Sequence, residues 1–524
     1  MALRIACIGG GPGGLFFSTL FKQTVPDADV VLFERNQASD AFGFGVVFSD
    51  ATLNRINDAD PVVRNGLRDY GTHWDDIEVW LKGEQKSFAG NGMAAIYRKT
   101  LLKLMQDRAA EVGVDMRFGQ YVPDLTQLGD FDVIVGADGA NSSTREQLGD
   151  GLGHTAETAT AKFIWFGTTY KFNGLTFVHR QSDFGNFAVH GYPISDELST
   201  FIVETDEDTW RKAGLDEFDA SQPPGPSDLK TQRFLEKLFA EDIAGEPLVA
   251  NNSRWANFRT RRTRSWHKGN VVLLGDAVHT AHFSVGSGTK MAMEDAITLV
   301  REIAAHQDDL ELAFTNYESD RQPQVAKIQN QARGGLSWWE HFARYYNSFD
   351  PTQFTFHFFS RSIDIDKIRQ RDPELVASAE HDWLARHGNS PLETPLIAGP
   401  VEFAGRQLFL AEQNGQMALT GPGGSIALST NPTDADANTG LLLTAPDTEA
   451  GLAAAVEQLP VQAAAVVIQG GNPFTRILLS EEARLGRGLT SVIVDDRGPV
   501  SALTLVLSGR ADAIAVEGTE ATDA

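Results

Sequence analysis

The stretch from Val271 to Lys290 has residue types and spacing that suit the binding of a planar group that becomes anionic. An apolar run ends at Gly275-Asp276, a short turn follows, and apolar residues then recur at helical spacing. The N-terminus of such a helix presents unpaired N–H groups and a partial positive charge to the turn. A reduced flavin is one such group, and Asp276 could bond a polyol hydroxyl. A Gly-Asp pair after a strand is also an ordinary turn, and the stretch alone leaves both interpretations open.

Gly9, Gly11 and Gly14 form a GxGxxG pattern directly after an apolar run over residues 3–8. Glu34 ends the next predicted strand, roughly 20 residues further on, where a ribose-binding acid is expected. The glycines permit a tight turn and close approach of a pyrophosphate to the helix N-terminus. The sequence therefore predicts a dinucleotide site in which Glu34 accepts hydrogen bonds from ribose hydroxyls.

Other residues are candidates for the same site. Asp138 follows an apolar run over 131–137 and fits either a position near the pyrophosphate or a simple Asp-Gly turn. Arg98 begins a predicted helix and suits either a phosphate or solvent. His190, His279 and His282 are candidate general bases for a substrate hydroxyl or amine, although a lone histidine is more often structural.

A local basic cluster precedes the first stretch. It fits a pyridine nucleotide or another phosphorylated ligand, or it balances neighbouring acids. Its members are Arg259, Arg261, Arg262, Arg264 and Lys268.

These residues require an α/β fold that places strand ends beside helix N-termini. Between residues 159 and 203, short aromatic and β-branched runs predict an antiparallel sheet inserted into the nucleotide-binding fold. Beyond a Pro- and Gly-rich linker at 389–400, apolar runs alternate with helical patterns and predict a small α/β domain.

Composition limits the classes of partner. The 524 residues include 45 Lys and Arg against 70 Asp and Glu, a net charge of −25 that disfavours nucleic acid and anionic membranes. One cysteine excludes an internal disulfide and a multi-cysteine zinc site, and no metal site is expected. We find no secretory signal and no uncharged run long enough to span a bilayer, so we expect a cytoplasmic protein.

With GxGxxG and Glu34, then Asp138-Gly139, then Gly275-Asp276 in order, residues 1–390 resemble the group A FAD-dependent aromatic hydroxylases. The loops are most similar to the branch of salicylyl-CoA 5-hydroxylases and 2-aminobenzoyl-CoA monooxygenases, a branch that natural-product tailoring hydroxylases also resemble. The segments that carry this likeness are 42–50, 266–272 and 281–290. Many group A enzymes have Pro-Pro where this chain has His282-Phe283.

The resemblance implies an enzyme that uses FAD, NADH or NADPH, and O2. It would hydroxylate an electron-rich aromatic or heteroaromatic ring, of the phenol or pyridinol type, through a C4a-hydroperoxyflavin. An aryl-CoA thioester as substrate and a non-catalytic flavin-binding scaffold are the alternatives. The implied cofactor-binding residues are Gly9, Gly11, Pro12, Gly13, Gly14, Glu34, Arg35, Arg98, Asp138, Asp276, Gly286, Ser287, Gly288 and Thr289. The expected substrate-contacting residues are Val47, Phe48, Phe177, Phe187 and Phe283.

The expected architecture is a Rossmann-like FAD-binding domain with an inserted antiparallel substrate domain and a small C-terminal α/β domain. The C-terminal part resembles a shortened old-yellow-enzyme barrel, too short for a complete (β/α)8 barrel, without FMN and used in packing or subunit contact. The predicted domains are residues 1–155 and 256–390 for FAD binding, 156–255 for the inserted sheet, 391–518 for the C-terminal domain and 519–524 for a tail.

Overall fold

The computed structural model describes residues 2–41, 43–49, 53–220 and 225–518. These residues form two compact units, the first containing residues up to 80 and 90–340, the second containing residues 81–89 and those from 341 onward. Phe42, Asp50 and the predicted tail over 519–524 lie outside the described residues. In the described part of the chain, no helix combines the length and apolar character needed to cross a bilayer.

Helices and strands alternate through the first half of the chain. The helices there are α1 (Pro12–Thr24), α2 (Asn54–Ala59), α3 (Val62–Tyr70), α4 (Arg98–Glu111), α5 (Ser143–Leu148), α6 (Glu207–Lys212) and α7 (Leu229–Leu238). The strands are β1 (Arg4–Ile8), β2 (Asp29–Glu34), β3 (Gly45–Ser49), β4 (Thr72–Trp74), β5 (Ile77–Leu81), β6 (Glu84–Phe88), β7 (Met93–Tyr97), β8 (Asp115–Phe118), β9 (Val133–Gly136), β10 (His154–Thr168), β11 (Leu175–Ser182), β12 (Gly185–Pro193), β13 (Ser199–Thr205) and β14 (Leu248–Val249).

The remaining elements include one long helix that begins in the first unit and ends in the second. The helices are α8 (Gly288–Ala305), α9 (Leu310–Ser348), α10 (Pro351–Phe359), α11 (Ile365–Arg371), α12 (Pro373–His387), α13 (Leu452–Glu457), α14 (Pro473–Glu481) and α15 (Pro499–Leu507). The strands are β15 (Ala256–Thr263), β16 (His267–Lys268), β17 (Val271–Leu273), β18 (Leu396–Ala398), β19 (Val401–Phe403), β20 (Gln407–Gln413), β21 (Gln416–Gly421), β22 (Gly424–Ser429), β23 (Gly440–Thr444), β24 (Val466–Gln469), β25 (Ser491–Val494) and β26 (Ala513–Glu517).

A six-stranded sheet in the order β16-β17-β9-β1-β2-β8 forms the centre of the first unit. All its neighbours pair in parallel except β16, which is antiparallel to β17. Parallel strands are buried on both faces and read as continuous apolar runs, as Ile5, Val31 and Leu273 illustrate within one buried core. A Cβ built on Gly13 would lie 3.0 Å from that of Ala292, which shows how closely α1 and α8 pack. The Rossmann-like prediction is confirmed.

The inserted sheet is antiparallel, as predicted, and runs in the order β14-β10-β13-β12-β11-β5, with β15 also paired to β10. One face, including Ile164, Val189 and Val203, packs against Leu235 and Phe239, at and after the end of α7. Because side chains alternate along a strand, the intervening residues must lie on the other face.

The second unit contains a closed barrel in the order β20-β21-β22-β23-β24-β25-β26. The α/β class is as predicted, and the short chain closes because β20 pairs in parallel with β26. β21 is antiparallel to both of its neighbours, and the remaining barrel pairs are parallel. Leu408, Leu419, Val467 and Val492 belong to one core cluster of this barrel.

The compact units have different limits from the predicted domains. The sequence groups residues 256–390 with the FAD-binding fold, whereas α10, α11 and α12 belong to the second unit. Ile365 donates its backbone N–H to Thr504 at 3.0 Å, and Arg510 donates to the Ser360 hydroxyl at 2.8 Å. These contacts join the end of α10 and the start of α11 to α15 and the loop that follows it.

Candidate functional site

The turn after β1 and the first turn of α1 contain two glycines that packing requires and one that faces open space. Gly9 has a φ of +115°, and a Cβ there would lie 2.3 Å from the Ala137 carbonyl oxygen. A Cβ on Gly14 would lie 2.0 Å from the Gly9 carbonyl oxygen. Gly11 has a φ of −75°, and a Cβ built on it meets no atom of the described residues within 4 Å. The turn therefore leaves room for a ligand at Gly11, at the N-terminus of a 13-residue helix.

Glu34 is held at the end of β2 beside this turn. Its Oε2 accepts the Gly10 N–H at 2.7 Å, and its Oε1 accepts the Asn36 N–H at 2.8 Å. Arg35, next in the chain, is exposed. Pro12 occupies the first turn of α1, where its missing N–H leaves no intrahelical bond unmade.

A cavity of about 200 Å³ adjoins the turn, and Gly9, Gly11, Glu34, Arg35 and Asp138 are among the residues that line it. The structure thus places Gly9, Gly11 and Glu34, which the resemblance implies for the ADP part of the cofactor, around one cavity.

Asp138 has a local structural role at this cavity. Its carboxylate accepts the Thr144 N–H at 3.0 Å and the Ser142 hydroxyl at 2.5 Å. Asp138 therefore holds the start of α5 in place while it lines the cavity.

Asp276 is the one exposed residue in the otherwise buried segment 271–280. Its side chain is open to solvent on one side, but the protein packed around the site still limits its solvation and raises the pKa of the carboxyl, whereas the positive charges of Arg98 and Arg261 oppose the increase. Burial lowers the pKa of the Arg98 guanidinium, and the Asp276 carboxylate opposes that decrease. The charges of Asp276 and Arg98 therefore influence each other at the end of β17.

The segment before α8 forms the second predicted anion site. Gly286 has a φ of +59°, and a Cβ there would lie 3.3 Å from Cγ1 of Val47. Ser287 precedes the 18-residue helix α8, which begins at Gly288, followed by Thr289. A Cβ on Gly288 would meet no atom of the described residues within 4 Å. The first N–H groups of α8 therefore open onto space beside Val47.

These observations fit FAD. Gly11 and the N-terminus of α1 would receive the pyrophosphate, Glu34 the ribose, and Asp276 the ribityl chain. The N-terminus of α8 would receive negative charge on the flavin ring.

The face of the inserted sheet that does not pack against α7, called here the free face, carries aromatic and titratable side chains. Phe163 is opposite Glu204, and Trp165 is opposite Ile202. His190 is also opposite Ile202. Directly opposite residues of an antiparallel pair lie on the same face, so these five side chains share one surface.

On that surface Glu204 lies between two imidazoles. Its Oε1 lies 2.8 Å from Nε2 of His190, and its Oε2 lies 3.8 Å from Nε2 of His282. All three side chains are buried. Burial and the nearby charge of Glu340 raise the pKa of the Glu204 carboxyl well above its usual range. The structure therefore brings two of the three predicted bases together around a carboxyl group.

Aromatic rings enclose this cluster. The Phe283 ring lies 5.7 Å from that of His190 and 4.2 Å from that of His282, between centroids. The Phe177 ring lies 4.9 Å from that of His190, and the Trp339 ring lies 4.3 Å from it. The resulting environment is apolar and sheltered from water.

His279 belongs to a different network. Its Nε2 lies 2.7 Å from Oδ2 of Asp295, which also accepts the Gly275 N–H at 3.0 Å. Arg321 donates to the other carboxylate oxygen of Asp295 at 2.8 Å. His279 thus fixes the turn after β17, and the structure does not bring it to the His190 cluster.

The five predicted substrate-contacting residues lie in two different regions of the structure. Phe177, Phe283 and Val47 lie on the side of the cluster. Phe187 lies on the opposite face of the sheet, packed 5.3 Å from the Phe234 ring, and Phe48 lies in the core of the FAD-binding fold. Alternation along β12 and β3 places these two side chains away from the cluster, so their packing does not support the prediction that they contact substrate.

The basic cluster does not form one patch. Arg261 is buried and donates to Asn141 at 3.2 Å, near Asp276. Arg262 pairs with Glu157 at 2.8 Å, and Lys268 donates to the Leu148 carbonyl at 2.9 Å. Arg259 and Arg264 are exposed.

The sequence analysis missed Glu204. The signal is an acidic residue in the strand Thr200-Phe-Ile-Val-Glu204, where every residue is buried. A carboxyl in such a strand needs a polar neighbour, and Nε2 of His190 on the neighbouring strand lies 2.8 Å from it.

Known proteins are similar in sequence to this chain, one of them over nearly its whole length. A family model described as "FAD binding domain" matches residues 129–332. Salicyloyl-CoA 5-hydroxylase from a Streptomyces species is 54% identical over 98% of this chain and 99% of its own length. The 3-hydroxy-4-methyl-anthranilyl-[aryl-carrier protein] 5-monooxygenase of Streptosporangium sibiricum is 34% identical over 64% of this chain and 89% of its own.

Solved structures share the fold. The tetrameric form of 2-methyl-3-hydroxypyridine-5-carboxylic acid oxygenase matches with a TM-score of 0.52 and 20% identity, over 71% of this chain and 98% of that one.

Proposed function

Because the chain belongs to the family of FAD-dependent aromatic monooxygenases that includes salicyloyl-CoA 5-hydroxylase, we propose that its substrate is a 2-hydroxybenzoyl thioester of coenzyme A. Hydroxylation would occur at C5, para to the existing hydroxyl. The observation that carries this proposal is the 54% identity over nearly the whole of both chains. The alternative is a free phenol or pyridinol ring that carries no coenzyme A thioester.

The residues of the chain have separate tasks in this reaction. Bound FAD would supply the redox and oxygen-activating chemistry for the ring, with NADH or NADPH as the reductant. Phe177, Phe283 and Trp339 exclude water from the ring and hold it against the free face of the sheet. His190 and His282 are the groups we propose to receive the proton of the substrate hydroxyl. Loss of that proton raises the electron density at the para carbon.

Arg259 offers a contact for the phosphates of coenzyme A. It is exposed on β15, next to Phe258, whose ring lies 4.9 Å from that of His282. We expect Arg259→Ser to raise the KM for the CoA thioester while leaving turnover of a free phenol unchanged. Equal effects on both substrates would contradict this assignment.

The test is a comparison of substrates with the FAD-loaded protein. We would measure NADH and NADPH oxidation and product mass with 2-hydroxybenzoyl-CoA, benzoyl-CoA, free 2-hydroxybenzoate and a pyridinol. We expect stimulated oxidation and a product heavier by one oxygen atom with 2-hydroxybenzoyl-CoA. Faster coupled turnover of a free ring would replace the thioester with the alternative substrate class.

Assembly of copies through the second unit and a cytoplasmic location remain predictions. Two apolar side chains of that unit are strongly exposed, Ile397 at 71% and Val461 at 99%. Light scattering on the wild type and on Ile397→Ser and Val461→Ser variants tests the assembly.

A further inference from the structure

Two buried polar atoms on the free face of the inserted sheet have no hydrogen-bond partner among the described residues. They are Nε1 of Trp165 on β10 and Oε1 of Glu204 on β13. Nε2 of His190 lies 2.8 Å from that oxygen, but the two atoms are not aligned for a hydrogen bond with each other. Because a buried polar atom without a partner destabilises a folded chain, the retention of two of them on one face indicates a ligand that bonds to both.

The strand register places these two side chains beside each other. Phe163 is opposite Glu204, and Trp165 lies two residues further along β10, on the same face. Residues in such a diagonal relation lie about 7–8 Å apart, a distance that long side chains span. The Phe283 ring lies 5.9 Å from that of Trp165 and 5.7 Å from that of His190, between centroids. Trp165 therefore belongs to the same aromatic enclosure as Glu204.

Both groups act as hydrogen-bond donors in this enclosure. An indole nitrogen donates and does not accept. Glu204 is 1% exposed, and burial with the nearby charge of Glu340 raises the pKa of its carboxyl well above the usual range. These surroundings favour the carboxylic acid, whose O–H is a donor, over the carboxylate.

We propose that Trp165 and Glu204 determine which ring the enzyme accepts, by donating two hydrogen bonds to the oxygen of a ring hydroxyl. A hydroxyl oxygen has two lone pairs to accept them, and its own proton stays available to the bases of the proposed function. The two donors also stabilise the negative charge that develops on this oxygen when that proton leaves. The inference rests on the proposed function only in that the substrate is an aromatic ring held on the free face.

The pair distinguishes a hydroxyl from the groups that resemble it in size. An aromatic amine has one nitrogen lone pair, which is delocalised into the ring, so it does not accept both bonds. A ring that carries only hydrogen at this position accepts neither and leaves two donors buried without partners. Sites built to bond a hydroxyl reject ligands without one for this reason.

The first test compares ligand affinities of the FAD-loaded wild type and Trp165→Phe without NADH or NADPH. Titration calorimetry would give the Kd of 2-hydroxybenzoyl-CoA, 2-aminobenzoyl-CoA and benzoyl-CoA. We expect the wild type to prefer the hydroxyl to the amine and to the bare ring by about tenfold or more, and W165F to lose most of that preference. The ratio of two Kd values isolates the N–H group, because all three ligands lose the same packing in W165F. An unchanged ratio would overturn the proposal.

Trp80→Phe is the matched control. Trp80 packs against the core on the other face of the sheet, and its Nε1 donates to Glu78 at 3.1 Å. We expect its Kd ratio to equal that of the wild type. A ratio that falls as far as in W165F would show that the loss is not specific to the unpartnered indole.

Glu204 is tested by two substitutions that differ in their donors. Gln retains an N–H donor at this position, whereas Leu fills a similar space and has none. We expect Glu204→Gln to keep the preference for the hydroxyl and Glu204→Leu to reduce it by about tenfold. Equal ratios in these two variants would contradict the role of Glu204 as a donor.

NMR provides a test that needs no variant to fold. In the wild type, one tryptophan indole N–H resonance should move downfield on addition of 2-hydroxybenzoyl-CoA and stay in place with benzoyl-CoA, because only the first ligand accepts its hydrogen bond. If no indole resonance distinguishes the two ligands, the proposal is wrong.

Failure of the proposed function gives a different result. In that case the wild type would bind none of the three thioesters, and the same Kd ratio would be measured with free 2-hydroxybenzoate and benzoate. A preference for the hydroxyl that Trp165→Phe abolishes would uphold the inference with a free ring as substrate. No preference, or one that Trp165→Phe leaves intact, would overturn it.

Discussion

At the scale of single residues, the glycines of the first turn separate ligand binding from folding. Gly11→Ala adds a methyl group in open space at an ordinary φ, so we expect the variant to fold. FAD affinity should fall by about tenfold or more, at least about 1.4 kcal/mol, because the methyl occupies the approach to α1. Fluorescence titration of the apoprotein with FAD measures this change.

Gly9→Ala is the matched comparison. A Cβ there meets the Ala137 carbonyl oxygen at 2.3 Å in a φ region unfavourable to alanine. We expect loss of folded protein rather than a selective loss of FAD affinity. The interpretation fails if the two variants behave alike.

Variants of His190 and His279 should differ in whether they lose hydroxylation or stability. His190→Gln should lower hydroxylation by about 10²-fold to 10⁴-fold while substrate and FAD still bind. His279→Gln should lower the free energy of unfolding by about 1.5–3 kcal/mol, because a hydrogen bond to the Asp295 carboxylate is lost. Turnover per bound FAD in that variant should stay close to wild type. Steady-state kinetics beside denaturant unfolding distinguishes the two roles, and a His279 variant that folds stably without turnover would reverse them.

At the scale of elements, the alternation of side chains in the inserted sheet decides which aromatic residues are functional. Phe187 is fully buried on the face that packs α7, so Phe187→Ala should cost about 3–5 kcal/mol of stability. Phe177→Ala, on the other face, should raise the KM for substrate and release more of the reduced oxygen as hydrogen peroxide. Thermal unfolding and a peroxide assay test this division. A stable Phe187→Ala protein with a raised KM would show that the faces are assigned wrongly.

The same alternation explains which site residues could be predicted from the sequence and which could not. Gly9, Glu34 and Asp276 were predictable because their roles follow from strand, turn and helix order along the chain. Phe177 and Phe187 have similar sequence surroundings, and only the strand register places them on opposite faces. Glu204 is meaningful only beside His190 and His282, which pairing and a distant loop bring to it. Long-range register was the missing information.

At the scale of the whole molecule, buried charge makes the second unit sensitive to acid. Burial alone would raise the pKa of Glu481, but hydrogen bonds from His357 and Tyr345 and the charge of Arg510 lower it to about 2. Burial, with the charge of Arg510, lowers the pKa of His357 to about 4 although Glu481 opposes the decrease. Both groups therefore bind protons more readily in the unfolded chain.

Stability should consequently fall as the pH decreases. For His357 the loss begins near an unfolded pKa of about 6.5 and reaches about 2 kcal/mol at pH 5, and Glu481 adds to it between about pH 4.5 and 2. Thermal unfolding of the full chain at pH 7 and pH 5 measures the effect. His357→Gln, which does not titrate, should show a smaller decrease in Tm, and an equal decrease would place the acid sensitivity elsewhere.

The pairing of β20 with β26 has a consequence for synthesis on the ribosome. The strand that begins the barrel can complete its ladder only when residues 513–517 have emerged, after every other barrel strand. Until then, β20 and β25 each expose an unpaired edge that a neighbouring nascent chain could use. The first unit has all of its strands by residue 273 and need not wait. On a polysome translating this chain, each nascent chain would therefore carry a folded nucleotide-binding unit together with an incomplete barrel. The edges of that barrel could pair with those of a neighbouring chain until the last strand is made.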